Sequence, residues 1–527
     1  MNLAGIFVLA LVVRAGVAFL QTEPINIDEA YHYISSLNLT RGQGFTEHIV
    51  WNYLYLPESV VHPGFLYWMP LSSMIAALGL LLFGEAYSSA QFGFVLLSAC
   101  LPVMTYMIAI EAGRNVRHAF IAALLMIFSG VYFREWTVID SFTPFALFGV
   151  LALYGFGKLF DSRQAGWAIF AGVCTGLANL ARPDGPLLLI AFAALLSLQW
   201  ISPKIVLANR GAFSRDAALF VIAVGAFLLT MTPWYVRNFL LIGAATVPGG
   251  LDTIWLCSYY DFFSFGKDLG FSEYLACGWG TILDSKLWAV WRNTLRFSGE
   301  QGMWILLPLA YIGRKPFMSN TLFRLATVYG VLLFVAMSLV FTFPGARGSW
   351  YHSAGVLMPF LCVAAVQGIE PIAEDIARRN PNRSLSRAIQ SGGIVLVSFA
   401  VIFSGFFFIR QSNLHAGEKS LGQAFAQAAI LAGDNTVMVH KSPLYIFHGG
   451  QSAINVPTNG NEAIFSAADM YDATFLLLDG TMPDSLQGVY AAEKTHPRLA
   501  LVDSFTADEV TLNMYKILGG TSDEEQN

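Results

Sequence analysis

The chain has 527 residues, of which 55% are hydrophobic and only 12% are charged, and its mean hydropathy is +0.56. Soluble domains carry about 25% charged residues, so this composition excludes an ordinary soluble protein and indicates a polytopic α-helical membrane protein. The net charge is -5. With no basic tract or nucleic-acid motif, the sequence gives no indication of a nucleic-acid partner.

Eleven apolar runs are predicted to cross the membrane, because about 20 helical residues span about 30 Å of hydrocarbon. The first contains Arg14 and lacks the basic start and small-residue exit of a signal peptide, which predicts a retained helix. The stretch 63–84 is also apolar, but its two prolines favour a helix lying at the membrane interface. The predicted spans are 3–20, 88–110, 118–133, 141–158, 165–181, 185–200, 216–236, 302–313, 325–343, 354–370 and 391–409.

The positions of lysine and arginine predict the orientation, because short cytoplasmic loops carry an excess of both. With the N-terminus inside, five short connections hold 14 of the 30 basic residues. These connections are 111–117, 158–164, 201–215, 314–324 and 371–390. The chain is therefore expected to be a multi-pass protein of the cell membrane with a cytoplasmic N-terminus.

Two outer segments and the C-terminal part are long. The outer segments, 21–86 and 244–300, are rich in aromatic residues, and the second suits helices in the headgroup layer. After residue 410, NTVMVHKSPLYIFHGG and ATFLLLDGTMP read as short buried strands, whereas EKSLGQAFAQAAILAG and NEAIFSAADMY have helical spacing. We therefore expect a transmembrane domain over 1–410 and a small extracytoplasmic α/β soluble domain over 411–527.

The five cysteines divide by position. Cys100, Cys174 and Cys362 fall within predicted spans and are expected to be packing residues. Cys257 and Cys277 share the second outer segment and could form a disulfide in an oxidising compartment. No CxxC or HExxH spacing predicts a structural metal site.

A polar cluster, NIDEAYHYIS, follows the first span. Asp28 and His32 are four residues apart and Glu29 and His32 three apart, so on a helix one carboxylate can meet the histidine while the other points elsewhere. The alternative is a helix start, with acidic residues favoured by capping and the dipole. That alternative explains one acid or two, but not Tyr31 and His32 in the same turns.

A second acid, Asp140, lies in FREWTVIDSF at the next outer turn. Capping of the fourth span is the simpler explanation of its position. The turn is short, however, and is predicted on the same membrane face as Asp28. We therefore expect the two carboxylates to converge in one cavity.

Three arginines lie at predicted outer ends of spans, where the orientation rule predicts few. They are Arg182 in LARPDGPLL, Arg237 in TPWYVRNFL and Arg347 in FPGARGSWYHSAG. Each suits a contact with lipid headgroups. Together with Tyr351 and His352 they could instead bind an anionic group, since guanidinium matches phosphate with a bidentate fork.

Carboxylates and phosphate-binding arginines at an outer membrane surface favour one chemistry. A sugar carried on a polyprenyl phosphate has an activated anomeric carbon, and its departing phosphate needs charge stabilisation, while a hydroxyl acceptor needs a base. Asp28 is the expected base. Such a donor needs no nucleotide pocket, which agrees with the lack of a GxGxxG or P-loop pattern.

The order of these motifs resembles that of the GT-C glycosyltransferases, polytopic enzymes that use polyprenyl-phosphate sugars. Over residues 1–410, the Asp-Glu pair, the stretch HPGFLYWMPLSSMIAALGLLLFG, the second acidic turn, LARPDGPLL and PWYVRN look most like the protein mannosyltransferase and aminoarabinose-transferase group. The resemblance implies a GT-C fold, a polyprenyl-phosphate sugar donor and a hydroxyl acceptor that is a protein, lipid or glycan. It also implies catalytic or acceptor-binding roles for Asp28 and Glu29, with Asp140 in the second acidic turn.

The chain departs from the group in two places. His62 and Pro63 stand where many relatives have two prolines, and the late outer loop reads GSWYHSAG instead of a plain Arg-Tyr, so the acceptor stays open. Some relatives have been associated with a metal. His32, His48 and His62 could serve as ligands, but no spacing rule supports them, and a divalent metal is left open.

Two other classes of function compete with the enzyme. A transporter or flippase of a lipid-linked or anionic solute would keep its ionisable residues near the midplane and show paired half-repeats. Here the charges gather at the outer rim and no half-repeat is visible, which favours the enzyme. A non-catalytic scaffold is the third class, and the polar cluster at Asp28 argues against it.

Overall fold

The computed structural model describes residues 2–200, 210–246, 249–379, 384–414, 416–508 and 510–519. The chain divides into two compact units. The helical unit comprises Met1–Thr22, Trp68–Thr246 and Leu283–Arg410. The sheet unit comprises Glu23–Tyr67, Val247–Ile282 and Gln411–Asn527. Of the predicted inner basic residues, Lys204 and Arg383 lie outside the described residues.

Most predicted spans are helices of the helical unit. Within the described residues, the first ten helices are α1 Leu3–Phe19, α2 Ile27–Thr40, α3 Leu71–Phe83, α4 Tyr87–Glu111, α5 Val116–Ile127, α6 Tyr132–Glu135, α7 Phe142–Ser162, α8 Ala165–Ala181, α9 Pro186–Gln199 and α10 Arg210–Ile242. The next nine are α11 Phe271–Ala276, α12 Trp279–Arg296, α13 Leu306–Ile312, α14 Thr321–Val335, α15 Thr342–Pro344, α16 Trp350–Ala354, α17 Met358–Gln367, α18 Ile369–Arg379 and α19 Leu385–Leu414. Of these, α2 and α11 belong to the sheet unit.

The apolar helices are those of a multi-pass membrane protein. Within the described residues, six helical stretches are long and apolar enough to cross a bilayer, and five apolar helices are shorter, at 10–17 residues. The long stretches are Tyr87–Glu111, Phe142–Ser162, Gly211–Ile242, Thr321–Val340, Thr342–Arg379 and Leu385–Ala432. The number of spans predicted from the sequence, eleven, stays a prediction.

Local geometry changes three predicted helices. The stretch 63–84 is helical only over Leu71–Phe83, after Pro70 at its N-cap. The run 302–313 is reduced to Leu306–Ile312 because Met303 and Trp304 adopt positive φ. The run 354–370 is divided by a 3₁₀ turn at Gly355–Leu357.

Glycines in α8 allow a close helix crossing. A Cβ at Gly172 would overlap the carbonyl oxygen of Ala223 in α10, and a Cβ at Gly176 would lie 2.6 Å from Cβ of Thr230. Gly172 and Gly176 form a GxxxG pair, the spacing that lets membrane helices approach through small residues. The α8–α10 contact therefore depends on the missing side chains.

Arg14 is fully buried within α1. Its guanidinium donates to the carbonyls of Met126 and Phe133, both at 3.1 Å, and lies 5.7 Å from the centroid of the Phe133 ring. These carbonyls flank the interruption between α5 and α6. The arginine thus supplies donors where the helix has lost its own.

The sheet unit contains a mixed six-stranded sheet with the order β2-β5-β4-β6-β8-β7. Strands β2, β5, β4 and β6 are parallel, whereas β8 is antiparallel to both β6 and β7. A two-stranded ribbon pairs β1 with β3. The strands are β1 Thr46–Glu47, β2 Ile49–Val50, β3 His62–Pro63, β4 Thr436–Val439, β5 Ser452–Ile454, β6 Ala473–Leu478, β7 Leu499–Ala507 and β8 Val510–Ile517.

Four helices accompany the C-terminal strands: α20 Ala416–Ala432, α21 Ser442–Phe447, α22 Asn461–Met470 and α23 Gln487–Tyr490. The predicted strands β4 and β6 and helices α20 and α22 are confirmed. The prediction of a strand over the segment PLYIF is wrong. This segment forms α21, with Pro443 in the first turn. Apolar side chains pack on both faces of the sheet, Val437 and Val439 in one core and Met438 in the other.

The second outer segment contributes a covalent link to the sheet unit. Cys257 and Cys277 form a disulfide with their Cα atoms 6.3 Å apart. Cys100, Cys174 and Cys362 are free. Disulfides persist in oxidising compartments, and the pairing closes a loop around the short helix α11.

Candidate active site

The helical unit joins two of the predicted site residues through a serine. Asp140 immediately precedes α7 and is 2% exposed. Its Oδ1 accepts from the backbone N–H of Ser141 and lies 3.1 Å from Ser141 Oγ, and the same hydroxyl is 3.0 Å from Nδ1 of His352. The alternative that Asp140 caps α7 is not borne out, because Ser141 occupies the N-cap position.

The ring of His352 is held in place by stacking. It lies parallel to Phe142, with 3.8 Å between the ring centroids and 14° between the planes. Its Nδ1 is 3.7 Å from Oδ1 of Asp140. Buried at the start of α16 and stacked on the first residue of α7, the imidazole has little freedom to rotate.

Ser141 has a single hydroxyl proton, and this proton determines the direction of the hydrogen bonds in the network. If Ser141 donates to Asp140, His352 must donate its Nδ1–H to Ser141 Oγ. In that tautomer the ring lone pair is on Nε2. The Ser141 hydroxyl thus links the imidazole to a buried carboxylate.

Arg182 extends the same network on its other side. Its Nε lies 3.1 Å from Oδ1 of Asp184 and 3.0 Å from Oγ of Ser353, and its Nη1 lies 3.4 Å from Oγ of Ser141. Ser353 in turn donates to Asp184. All four side chains are largely buried. The guanidinium therefore balances a buried carboxylate and also reaches the hydroxyl that binds Asp140 and His352.

The other predicted residues of the helical unit are Arg237, Arg347 and Tyr351, and the Tyr351 ring packs edge-on against Phe142, with 4.9 Å between the centroids. Arg237, near the end of α10, stands 4.8 Å over the ring of Trp234 and donates to Asn238 at 2.9 Å. Arg347 is an exposed residue of the π-helical turn Gly345–Ser349. The Tyr351 hydroxyl is buried, and within the described residues no hydrogen-bond partner for it is found.

The polar cluster near the start of the chain forms the first turns of α2 in the sheet unit. Asn26 is the N-cap: its Oδ1 accepts from the N–H of Glu29 at 2.9 Å, and its Nδ2 donates to Glu29 at 2.7 Å. The capping alternative thus accounts for Glu29. Asp28, in the same turn, is half-buried.

Tyr31 and His32 lie on the buried side of α2. The Tyr31 hydroxyl donates to Glu47, which also accepts from the backbone N–H of Phe65. Burial, followed by the charge of Glu47, raises the pKa of Tyr31 well above its ordinary value, so the hydroxyl stays protonated. The His32 ring packs edge-on against Tyr31, 5.4 Å between centroids.

Two of the histidines considered as metal ligands have other environments in the sheet unit. His62 places Nδ1 2.9 Å from the carbonyl of Pro63 and Nε2 3.0 Å from the carbonyl of Ile49. Burial lowers the pKa of His48, and His62 acts in the same direction. Carbonyls at both ring nitrogens make His62 a poor candidate for a metal ligand.

Four functional neighbours escaped the sequence analysis: Ser141, Asp184, Ser353 and Glu47. Asp184 had a signal, since it stands two residues after Arg182 in the same turn and carries the opposite charge. Ser141 follows the singled-out Asp140 directly. Ser353 likewise follows the singled-out His352, whereas Glu47 gave no comparable signal, because its partners Tyr31 and Phe65 are more distant in sequence.

The comparison with family models matches residues 72–242 to "Dolichyl-phosphate-mannose-protein mannosyltransferase". No curated protein sequence matches the chain. The matched residues include Asp140, Arg182 and Asp184 but not Asp28 or His352. The sequence match therefore covers only part of the candidate network.

Solved structures match over nearly the whole chain. ArnT from Cupriavidus metallidurans, bound to undecaprenyl phosphate, is 15% identical with a TM-score of 0.53, over 98% of this chain and 98% of that one. The oligosaccharyltransferase of Archaeoglobus fulgidus, tethered with an acceptor peptide, is 12% identical with a TM-score of 0.51, over 90% of this chain and 69% of that one. The fold is that of the GT-C glycosyltransferases, as the order of motifs predicts.

Proposed function

We propose that the protein is an integral-membrane glycosyltransferase that moves a sugar from a polyprenyl-phosphate donor to a hydroxyl acceptor at the extracytoplasmic face. The observation that carries this proposal is the likeness of fold, over 98% of both chains, to ArnT bound to undecaprenyl phosphate. The buried acid, imidazole and guanidinium groups of the helical unit support it.

The proposed reaction is a single displacement. Asp28 takes the proton of the acceptor hydroxyl, the acceptor oxygen forms a bond to the anomeric carbon, and the bond from that carbon to the phosphate oxygen breaks. The electron pair of the broken bond leaves with the lipid phosphate. Asp28 suits this role because Glu29, its neighbour, is engaged in the helix start.

Asp140 is proposed as the second catalytic carboxylate, and its convergence with Asp28 stays a prediction from the sequence. Its contacts with Ser141 and His352 fix the carboxylate in one orientation. A positioned carboxylate can hold the acceptor or the sugar by accepting hydrogen bonds. Glu29 acts by fixing the first turn of α2, which carries Asp28.

The basic residues are proposed to stabilise the departing phosphate. Arg182 is held by Asp184, so its guanidinium is preorganised and loses little freedom on binding. Arg237 and Arg347 are the further candidates for contact with the lipid headgroup. Tyr351, with its buried hydroxyl, is a candidate donor to the substrate.

His352, His32 and Tyr31 are proposed to contact the substrate. For His352 the proposal rests on the orientation of its imidazole, which the contact with Ser141 and the stacking on Phe142 hold in place. Tyr31 and His32 line the buried side of α2 beside Glu47. A divalent metal stays open in this proposal, and no step depends on one.

The deciding experiment uses Asp28→Asn with the protein in liposomes and a panel of labelled polyprenyl-phosphate sugars. We expect release of lipid phosphate to fall by about 10²- to 10⁴-fold, the usual contribution of a general base, while donor binding persists. Asp434→Asn, at an exposed position, is the matched control. Near-normal transfer by Asp28→Asn would refute the assignment of the base.

A second pair of variants tests the phosphate site. Arg347→Ala should weaken donor binding more than Arg378→Ala, because Arg378 lies on the predicted inner side. Donor affinity is measured with the same labelled lipids. Equal effects would count against an outer phosphate site, and movement of intact donor across the liposome without release of lipid phosphate would favour a transporter.

A further inference from the structure

We infer that the sheet unit has a binding site for an uncharged saccharide at the carboxyl edge of its parallel strands. The site is formed by His440 and Asp479, beside an aromatic wall that includes Phe263 and Trp51. It lies wholly within the sheet unit. It goes beyond the proposed transfer reaction, because binding is expected without any lipid-linked donor.

The first argument is topological. In the sheet, β5 lies on one side of β4 and β6 on the other. The chain runs from β4 to β5 and then crosses back to β6, so the direction in which strands are added reverses between β4 and β6. Ligands of open α/β sheets bind outside the carboxyl ends of the strands at such a reversal. His440 follows β4 directly, and Asp479 follows β6 directly.

The register places these two residues at the same edge. Val439 pairs with Leu477, so His440 and Asp479 continue neighbouring strands past their last paired residues. Asp479 is 8% exposed and accepts from the backbone N–H of Thr481 at 2.8 Å. Burial lowers the pKa of His440, and the charge of Asp479 acts on the same imidazole in the opposite direction.

Two buried polar atoms at this edge are unsatisfied. Within the described residues, neither Nδ1 of His440 nor Oγ of Ser442 has a hydrogen-bond partner, and Ser442 is fully buried. Buried polar groups are nearly always paired, so two orphans within three residues need an explanation. A bound molecule with hydroxyl groups would account for the orphan at the half-buried His440, because a hydroxyl donates and accepts.

The second outer segment supplies aromatic rings at the same edge. The Phe263 ring lies 6.1 Å from that of His440 and 5.4 Å from that of Trp51, which follows β2. Hydrogen bonds fix this segment: Thr458 N–H donates to Phe263 at 2.9 Å, and Tyr53 N–H donates to Phe262 at 2.9 Å. The negative faces of aromatic rings attract the weakly positive C–H groups of a sugar ring.

The charges at this edge favour an uncharged ligand over an anion. Lys441, the cation next to His440, is held by both oxygens of Glu418 at 2.7 and 2.8 Å. Lys267 is held by Asp261 at 2.6 Å. The Asp479 carboxylate would repel an anion, whereas carboxylate, neutral imidazole and aromatic face together suit a neutral sugar.

The test uses the full chain in nanodiscs and a panel of neutral and acidic oligosaccharides, with binding measured by saturation-transfer NMR and titration. We expect saturable binding of a neutral saccharide, and a loss of about tenfold in affinity for His440→Ala, as the loss of one hydrogen bond predicts. His496→Ala is the matched control. His496 lies two residues before Arg498, whose guanidinium donates to the carboxylate of Asp469. Asp469 stands near the C-terminal end of α22, before β6 begins.

The outcomes separate this inference from the proposed transfer reaction. Asp28→Asn should bind the saccharide like the unaltered protein, even though it transfers nothing. Asp479→Asn gives a second test if His440→Ala does not fold, since it keeps the side-chain volume. Absence of neutral saccharide binding to the unaltered protein, a preference for acidic sugars, or equal effects of His440→Ala and His496→Ala would each overturn the inference.

Discussion

Arg14 shows how a single charge can be accommodated inside an apolar helix. Removing a guanidinium from water is costly unless its donors are satisfied. Here the two carbonyls are those of Met126, in the last turn of α5, and Phe133, in α6, on either side of the break between these helices. The arginine and the helix break therefore satisfy one another, and the turn that leads to Asp140 is fixed.

Arg14→Ala should remove that support. We expect the free energy of unfolding in detergent to fall by roughly 2–4 kcal/mol, because two charge-assisted hydrogen bonds are lost and buried carbonyls are left unpaired. Arg117→Ala, at an exposed position, is the control and should change little. Denaturant titration measures both, and equal stability of the two variants would contradict the supporting role.

At the residue scale, the sequence identified charged groups better than the partners that hold them. Asp140, Arg182 and His352 stood out because charge is rare in this chain. The roles of Ser141, which contacts all three, and of Ser353, which contacts Arg182 and Asp184, could not be recognised, since they depend on distances between separate helices. Asp184 could have been recognised from the sequence, but the orientation argument drew attention to the neighbouring Arg182 instead.

Among the elements, the α8–α10 crossing depends on the absence of side chains. The pair Gly172 and Gly176 was readable as a GxxxG motif within an apolar run. Apolar runs predicted most helices because length and hydropathy report burial in lipid. The π-helical turns at 297–301, 336–340 and 345–349 were not predictable. They interrupt helices, and not every one of these breaks has a proline or polar residue that would mark it in the sequence.

Gly172→Ala should separate α8 from α10. A methyl group there would overlap the backbone of Ala223, so we expect destabilisation of roughly 1–3 kcal/mol, the usual cost of overpacking. Gly225→Ala is a matched control within α10, where nothing lies within 4 Å of the added carbon. That change should be neutral or stabilise by up to about 1 kcal/mol. Thermal unfolding of both variants decides the point, and equal losses would contradict close packing at Gly172.

On the scale of the whole molecule, each unit is assembled from separated parts of the chain. The sheet takes β2 from residues 49–50 and β4 to β8 from the C-terminal part. Composition predicted the C-terminal α/β character but could not assign a two-residue strand some 400 positions away to the same sheet. Which strand a distant segment pairs with depends on which edge of the sheet is available. A short segment has too few residues to show a hydrophobic pattern that would predict this pairing.

The orientation of the chain in the membrane remains a prediction, and the disulfide bears on it. Disulfides persist in oxidising compartments, so the bond between Cys257 and Cys277 favours an extracytoplasmic sheet unit. Lys494→Cys should therefore react with a membrane-impermeant maleimide on intact cells, since this position is exposed. Arg117→Cys, in a predicted inner connection, should react only after permeabilisation. The reverse pattern would place the N-terminus outside and the candidate active site on the wrong face for an extracytoplasmic transferase.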